Sequence, residues 1–302
     1  PLAVIMAAQH GRELNGIAAI ERAFSRLDPA ALAGDVVFLP VMNPLAVRMH
    51  QQDFPTEAGR YRPVRSHLNM NMNRTWPGGG LFGDDTYASS TTEVAWNAFL
   101  KHADVAADLH GWSGLSLSLV WGCARDRALV KAFGLPEYLV LPRPAARETG
   151  MSEAAIARAG IPLVVCELAP QNAICNTAVA QGERGIFNML KYAGLLKGEL
   201  EIPDVQYEFS DKHVETEMKT DAEGLVVSDF RKGDFVRKGQ TAVRVISLET
   251  LKTVWECQAP HDAVLFNVGG VHWGEDIPEN FVVYPGQTVG LLKKPDRIVR
   301  NR

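Results

Sequence analysis

Short apolar runs alternate with longer segments of helical periodicity through the first two-thirds of the chain. The runs are "LAVIMAA", "DVVFLPVMN", "VAADLHG" and "IPLVVCEL", each rich in Val, Ile and Leu. Between them stand "NGIAAIERAFSRL", "TTEVAWNAFLKHA", "SEAAIARAG" and "TAVAQGERGIFNMLKYAG", whose apolar positions recur with the helical period. Strands alternating with helices predict βαβ units and a mostly parallel sheet buried on both faces. Residues 52 to 88 break the rhythm with Pro, Gly, Asn and Arg and read as a long functional loop. From about residue 205 the texture changes. "GLVVSDF", "TAVRVISL", "LKTVWECQA", "AVLFNV", "FVVYPG" and "TVGLL" are short β-type runs divided by turns such as "RKGD" and "RKGQ". The expected organisation is an α/β domain over 1–204, joined near "GELEIPD" to a smaller all-β domain over 205–302.

Composition narrows the classes. The 302 residues are 46% hydrophobic and 22% charged, as in a globular protein. A formal charge of −4 advertises no basic face for nucleic acid. Cys123, Cys166, Cys175 and Cys257 show no CxxC pair, a pattern of reduced thiols and a cytoplasmic location. The longest uncharged run, between Asp108 and Arg125, is too short to span a membrane and is rich in Gly and Ser. The chain opens without Met, directly on an apolar run, so a segment preceding this numbering is expected.

Ligands of α/β sheets gather outside the carboxyl ends of the strands. His10 follows "AVIMAAQ", His110 ends "VAADLH" and Glu167 ends "PLVVCE", which puts three chemically capable residues at one sheet edge. A catalytic zinc takes three protein ligands from His and carboxylate and keeps a fourth position open. His10, Glu13 and His110 form such a set: one HxxE from a strand-turn and one distant His from a neighbouring strand. Such chemistry also needs a carboxylate to move a proton, and Glu167 is placed for that. Asp108 falls two residues before His110, on the same face of a regular strand, and either orients that ligand or caps the next turn. In "NMNRTWPGG", Asn73 offers an amide and Arg74 a planar fork suited to a substrate carboxylate. Arg48, Arg60, Arg62 and Arg65 crowd the same region as candidates for a second anion-binding arginine. The other histidines earn no role from sequence. Cys166 should point away from Glu167 into the core, and Cys175 lacks an obvious base.

"QHGRE", "NP" at Asn43-Pro44, "NMNRTWPG", "ADLHG" and "VVCEL" occur in the order seen in the succinylglutamate desuccinylase/aspartoacylase family, zinc deacylases related to the zinc carboxypeptidases. The resemblance covers most of residues 4 to 200, and the later β domain also looks like the C-terminal domain of that family. It implies a carboxypeptidase-like mixed, mostly parallel sheet and one zinc per chain on His10, Glu13 and His110. It also implies Glu167 as general acid/base and Asn73-Arg74 as the holder of the substrate carboxylate. Trp76 stands where Phe is more usual, which implies a reshaped pocket. Within the family the chain most resembles the bacterial branch that includes N-acetyl-diaminobutyrate deacetylase. The expected activity is therefore removal of an acyl group from a small N-acylated amino acid, by a chain that binds neither nucleic acid nor membrane and is a candidate homo-oligomer. Two other readings stand beside it. A peptide-cleaving zinc carboxypeptidase would use the same ligands. A carrier role is echoed by "RKGDFVRKGQTAVRVISLETLKT", which resembles biotinyl or lipoyl domains with Lys252 in the modified position; Lys219 in "ETEMKT" echoes the biotin motif out of order.

Overall fold

The computed structural model describes residues 1–53, 71–78, 87–146, 149–271 and 281–301. They fall into two compact units: Pro1–Trp112 with Ser118–Asp204 and Asn301, and Ser113–Leu117 with Val205–Arg300.

The first unit contains β1 (Leu2–Ala7), α1 (Asn15–Arg26), β2 (Asp35–Leu39), α2 (Pro44–Met49), α3 (Tyr87–Ala98) and β3 (Val105–His110). It continues through β4 (Leu119–Cys123), α4 (Arg127–Phe133), β5 (Glu137–Leu141), α5 (Ser152–Arg158), β6 (Leu163–Glu167) and α6 (Asn176–Tyr192). Its strands lie in the order β5-β4-β6-β3-β1-β2. β1 pairs in parallel with β2 and β3, and β3 in parallel with β6. β4 runs antiparallel to β6 and parallel to β5, so the sheet is mixed, as the resemblance implied.

β1 reads as an unbroken apolar run because both its faces are covered: Ala3 through Ala7 are all fully buried. Burying Ile5 and Met6 contributes roughly 1.5–3 kcal/mol each before chain entropy is set against it. On one face Val4 and Met6 join Met42, Met72, Trp76, Leu100 and Ile156 in one cluster. α1 buries Gly16, Ala19, Ile20 and Ala23 at helical spacing. A Cβ on Gly182 of α6 would lie 2.8 Å from Ala19 Cβ, so that close approach of α1 and α6 needs a glycine.

The second unit holds β7 (Val205–Ser210), β8 (Val214–Lys219), β9 (Gly224–Val227), β10 (Phe235–Val236), β11 (Thr241–Ile246) and β12 (Thr253–Gln258). It ends with β13 (Ala263–Val271), β14 (Val282–Val283), β15 (Thr288–Lys294) and β16 (Arg297–Arg300). Two four-stranded sheets, β10-β13-β15-β8 and β12-β11-β9-β14, share one core that includes Met218, Val226, Val243, Val245, Leu265 and Leu292. β7 pairs antiparallel with β16. Lys252 is exposed on the β11–β12 connection, where its carbonyl accepts from the Ser247 N–H at 2.9 Å. Lys219 ends β8 and pairs with Glu217 at 3.2 Å.

Candidate metal centre

The chain turns sharply after β1. Ala8 takes φ 54°, in the left-handed region that costs a non-glycine residue roughly 1 kcal/mol or more, and hydrogen bonds from outside hold it there. Met42 N donates to Ala7 O and Asn43 N to Ala8 O, both at 3.0 Å. Asn43 Nδ2 donates to Gln9 O at 3.1 Å, while Asn43 Oδ1 accepts from Ala46 N and caps α2, with Pro44 in the first helical turn. The "NP" motif thus fixes the backbone that presents His10. Gly11 has no room for a side chain, since a Cβ would lie 2.2 Å from the Ala46 carbonyl carbon.

His10, Glu13 and His110 meet below the surface, 8, 4 and 4% exposed. His10 Nδ1 lies 2.8 Å from Glu13 Oε1, and His110 Nδ1 lies 2.9 Å from Glu13 Oε2. The outer nitrogens face oxygen. His10 Nε2 is 3.0 Å from Asn71 Oδ1, which also accepts from the Asn73 N–H at 2.9 Å. That backbone donor identifies the atom as oxygen, so His10 Nε2 carries a hydrogen. His110 Nε2 is 3.1 Å from Asp108 Oδ2 and 3.3 Å from Gln9 Nε2. The carboxylate only accepts, and the Gln9 amide has Ser152 Oγ at 3.3 Å as another acceptor, so His110 Nε2 carries a hydrogen too. A neutral imidazole with its hydrogen on Nε2 presents a lone pair at Nδ1. Two lone pairs therefore aim at one carboxylate, and only a proton or a cation between them relieves the repulsion.

The electrostatics agree. Burial would lower both histidines, but the Glu13 charge raises His10, and the Asp108 and Glu13 charges raise His110 well above its ordinary value. Burial would raise the Glu13 carboxyl, but the two imidazoles hold it down to about 2. The arrangement is an anion between two nitrogens that must otherwise be loaded with protons. Among the described residues this is the group of His, Cys, Asp and Glu side chains suited to a metal ion, its ligand atoms all within 4.8 Å of one another. Ligands of a tetrahedral zinc with bonds of about 2.0 Å stand roughly 3.3 Å apart, so these donors fit such an ion.

Glu167 lies directly beside His110, its register partner across the parallel β3–β6 pair. Burial raises its carboxyl to about 7 against the opposing pull of the His110 charge. Cys166, one residue earlier and on the other face, is fully buried. Asn73 is buried and its Oδ1 accepts from Ser152 N at 2.8 Å, which ties the Asn71–Arg74 turn to the start of α5. Arg74 donates from Nη1 to Asn73 O at 2.6 Å, and the Asp53 charge acts on its half-buried guanidinium. Of the candidates for a second arginine, Arg48 is exposed at the end of α2, and Arg60, Arg62 and Arg65 lie outside the described residues.

Sequence reasoning passed over Gln9, Asn71 and Ser152. Gln9 sits inside the "QHGRE" motif and Asn71 opens "NMNR", so adjacency was the available signal. Ser152 reads as a helix start and nothing more. Trp76, from which a reshaped pocket was expected, is 4% exposed and packs in the core cluster beneath the sheet.

The family model of the succinylglutamate desuccinylase/aspartoacylase catalytic domain matches residues 1–193. The chain is 28% identical over 263 residues to N-alpha-acetyl-L-2,4-diaminobutyric acid deacetylase of Halomonas elongata, covering 82% of this chain and 71% of that one. Among solved structures it resembles a succinylglutamate desuccinylase/aspartoacylase from Rhodobacter sphaeroides, with a TM-score of 0.70, 22% identity, and 98% of this chain and 86% of that one covered. It also resembles the product-bound ectoine utilization protein EutE (DoeB) from Ruegeria pomeroyi, with a TM-score of 0.68, 23% identity and coverage of 97 and 85%. These structural likenesses speak for the fold. Among the described residues no helix is long and apolar enough to cross a membrane.

Proposed function

Because the chain belongs to the succinylglutamate desuccinylase/aspartoacylase family, we propose that it is a zinc-dependent hydrolase that removes the acyl group from a small N-acylated amino acid. The observation that carries this reading is the Glu13 carboxylate facing two imidazole Nδ1 atoms whose Nε2 hydrogens are already committed to Asn71 and Asp108. His10, Glu13 and His110 would hold one zinc ion, whose Lewis acidity lowers the pKa of water toward neutrality and polarises an amide carbonyl. Glu167, held near neutrality, is suited both to take a proton from the attacking water and to return it to the departing amine. Arg74 would hold the substrate carboxylate, with the Asn73 amide beside it, and this fixes the amide against the strand ends. The likeness to an acetyl-diaminobutyrate deacetylase supports an N-acetylated amino acid as substrate. The whole site lies within residues 1–204, the part to which we assign the chemistry.

The test joins metal content to turnover. Elemental mass spectrometry of the purified protein should find about one zinc per chain. Glu167→Gln should keep that zinc and lose about 10²–10⁴-fold in kcat on N-acetyl amino acids. Absence of zinc after reconstitution would overturn the reading. Turnover of blocked dipeptides as fast as of N-acetyl amino acids would move it to a carboxypeptidase.

A further inference from the structure

A buried chain of hydrogen bonds runs from Trp76 to the metal ligand His110. Trp76 Nε1–H donates to Gln9 Oε1 at 2.7 Å, and Gln9 Nε2–H donates to Asp108 Oδ2 at 2.6 Å. Ser152 Oγ–H reaches the same Asp108 oxygen at 2.6 Å, and His110 Nε2–H reaches it at 3.1 Å. Asp108 is 0% exposed, and its other oxygen, Oδ1, has no hydrogen-bond partner among the described residues. The carboxylate is therefore placed by what touches Oδ2, and the two short contacts come from Gln9 and Ser152.

The Gln9 amide has two orientations related by a flip, and only one suits Asp108. With Oε1 toward the indole N–H, Nε2 donates to the carboxylate at 2.6 Å and to Ser152 Oγ at 3.3 Å, and lies 3.3 Å from His110 Nε2. Flipped, the amide oxygen would stand 2.6 Å from a carboxylate oxygen, and a nitrogen would face a nitrogen. Trp76 selects the first orientation because its ring carries an N–H; a phenyl ring there would leave Gln9 Oε1 buried without that partner. The same short segment also holds Ser152, through Asn73 Oδ1 to Ser152 N at 2.8 Å, and Trp76 N donates to Gly150 O at 2.9 Å. Both short donors to Asp108 are thus anchored by residues 73–76, the segment that carries Arg74.

We infer that Trp76 and Gln9 are positioning residues for the metal centre, acting through Asp108 to fix the tautomer and orientation of His110. The inference rests on the zinc reading above and adds to it residues that touch neither metal nor substrate. Partners that orient a ligating histidine are worth about 10–100-fold in metal affinity. It also links two parts of the site, since residues 73–76 carry both the arginine for the substrate and the two groups that hold the donors to Asp108.

The experiment is a double-mutant cycle of Trp76→Phe and Gln9→Met on the full chain. Its readouts are the zinc dissociation constant by chelator competition, the visible spectrum of the cobalt(II)-substituted protein, and the thermal midpoint. Each single variant should weaken zinc by about 10-fold or more, and the pair should be no weaker than Gln9→Met alone. The cobalt bands should shift in all three variants. Thr75→Val is the control for plain loosening of the segment. It removes the buried hydroxyl that donates to Met72 O at 2.9 Å, and it should lower the thermal midpoint while leaving zinc affinity and cobalt bands as in wild type. Wild-type zinc affinity and cobalt bands in Trp76→Phe, additive losses in the pair, or an equal loss of zinc in Thr75→Val would each overturn the inference and leave the zinc reading intact. A wild-type protein that takes up no zinc would overturn both. If Gln9→Met does not fold, the comparison of Trp76→Phe with Thr75→Val decides.

Discussion

Zinc binding to this site should be strongly pH-dependent, and the structure sets how strongly. Each histidine carries one hydrogen on Nε2, committed to Asn71 or Asp108, so the proton that a metal must displace is the one on Nδ1. Glu13, held at about 2, is already ionised and releases nothing. Two ordinary histidines with pKa 6.5 would together weaken zinc binding about 10-fold between pH 7.0 and pH 6.0. Here both are raised, His110 well above 6.5, so His110 alone supplies about a factor of 10 and the pair about 30- to 100-fold. Per proton the upper limit is about 1.4 kcal/mol per pH unit. The assay is zinc competition against a chelator of known proton affinity at pH 6.0, 6.5 and 7.0. It is best run on Glu167→Gln, because Glu167, near 7, would otherwise titrate in the same window. A 10-fold change or less would show that the histidines are not loaded with Nδ1 protons in the metal-free protein, and the argument from opposed lone pairs would fall.

The same shifts act on stability with opposite signs in the two metal states. In the stripped protein the raised histidines stabilise the fold below pH 6.5, a contribution lost as pH climbs through their folded values, and the raised Glu167 loses its contribution between about 4.5 and 7. The thermal midpoint of chelator-treated protein should therefore fall from pH 6.0 to 8.5 while that of zinc-loaded protein rises relative to it; parallel curves by differential scanning fluorimetry would contradict this. Gly11→Ala should cost about 3 kcal/mol or more in urea unfolding, because the new Cβ meets the Ala46 carbonyl carbon at 2.2 Å and the Gln51 carbonyl oxygen at 2.4 Å, backbone atoms that cannot swing aside. A loss within about 0.5 kcal/mol, as for an ordinary surface change, would mean that the turn after β1 can reshape.

What was legible in the sequence is what periodicity and strand ends encode. β1, β3 and β6 are buried on both faces, so they appear as runs of Val, Ile, Leu and Ala, and the residues that break those runs are the ones at the ligand edge. His110 and Glu167 were foreseeable as neighbours because both follow such a run, and their register pairing is the consequence. β4 and β5 escaped notice for the converse reason. "LVWGC" and "EYLVL" are five residues each, the first emerging from a Gly- and Ser-rich stretch, and no local feature marks β4 as antiparallel to β6. Side-chain direction was hidden in the same way. Asn73 drew attention as the neighbour of Arg74, yet Asn71 is the one that reaches His10, because a 3₁₀ turn over Met72–Arg74 rotates the later side chain toward Ser152. The contacts that fix Asp108 join it to residues 99 and 44 positions away in the chain, and no spacing rule links them. The donor set of a metal centre is thus written at strand ends, where a backbone period can expose it. Its protonation and orientation are written in long-range polar contacts, which exist only once β1, β3 and the start of α5 have come together. Burying Asp108 is offset by the three contacts that converge on its Oδ2, from Gln9, Ser152 and His110. The same contacts that fix Asp108 Oδ2 hold the His110 imidazole in the one tautomer that leaves Nδ1 open to a metal.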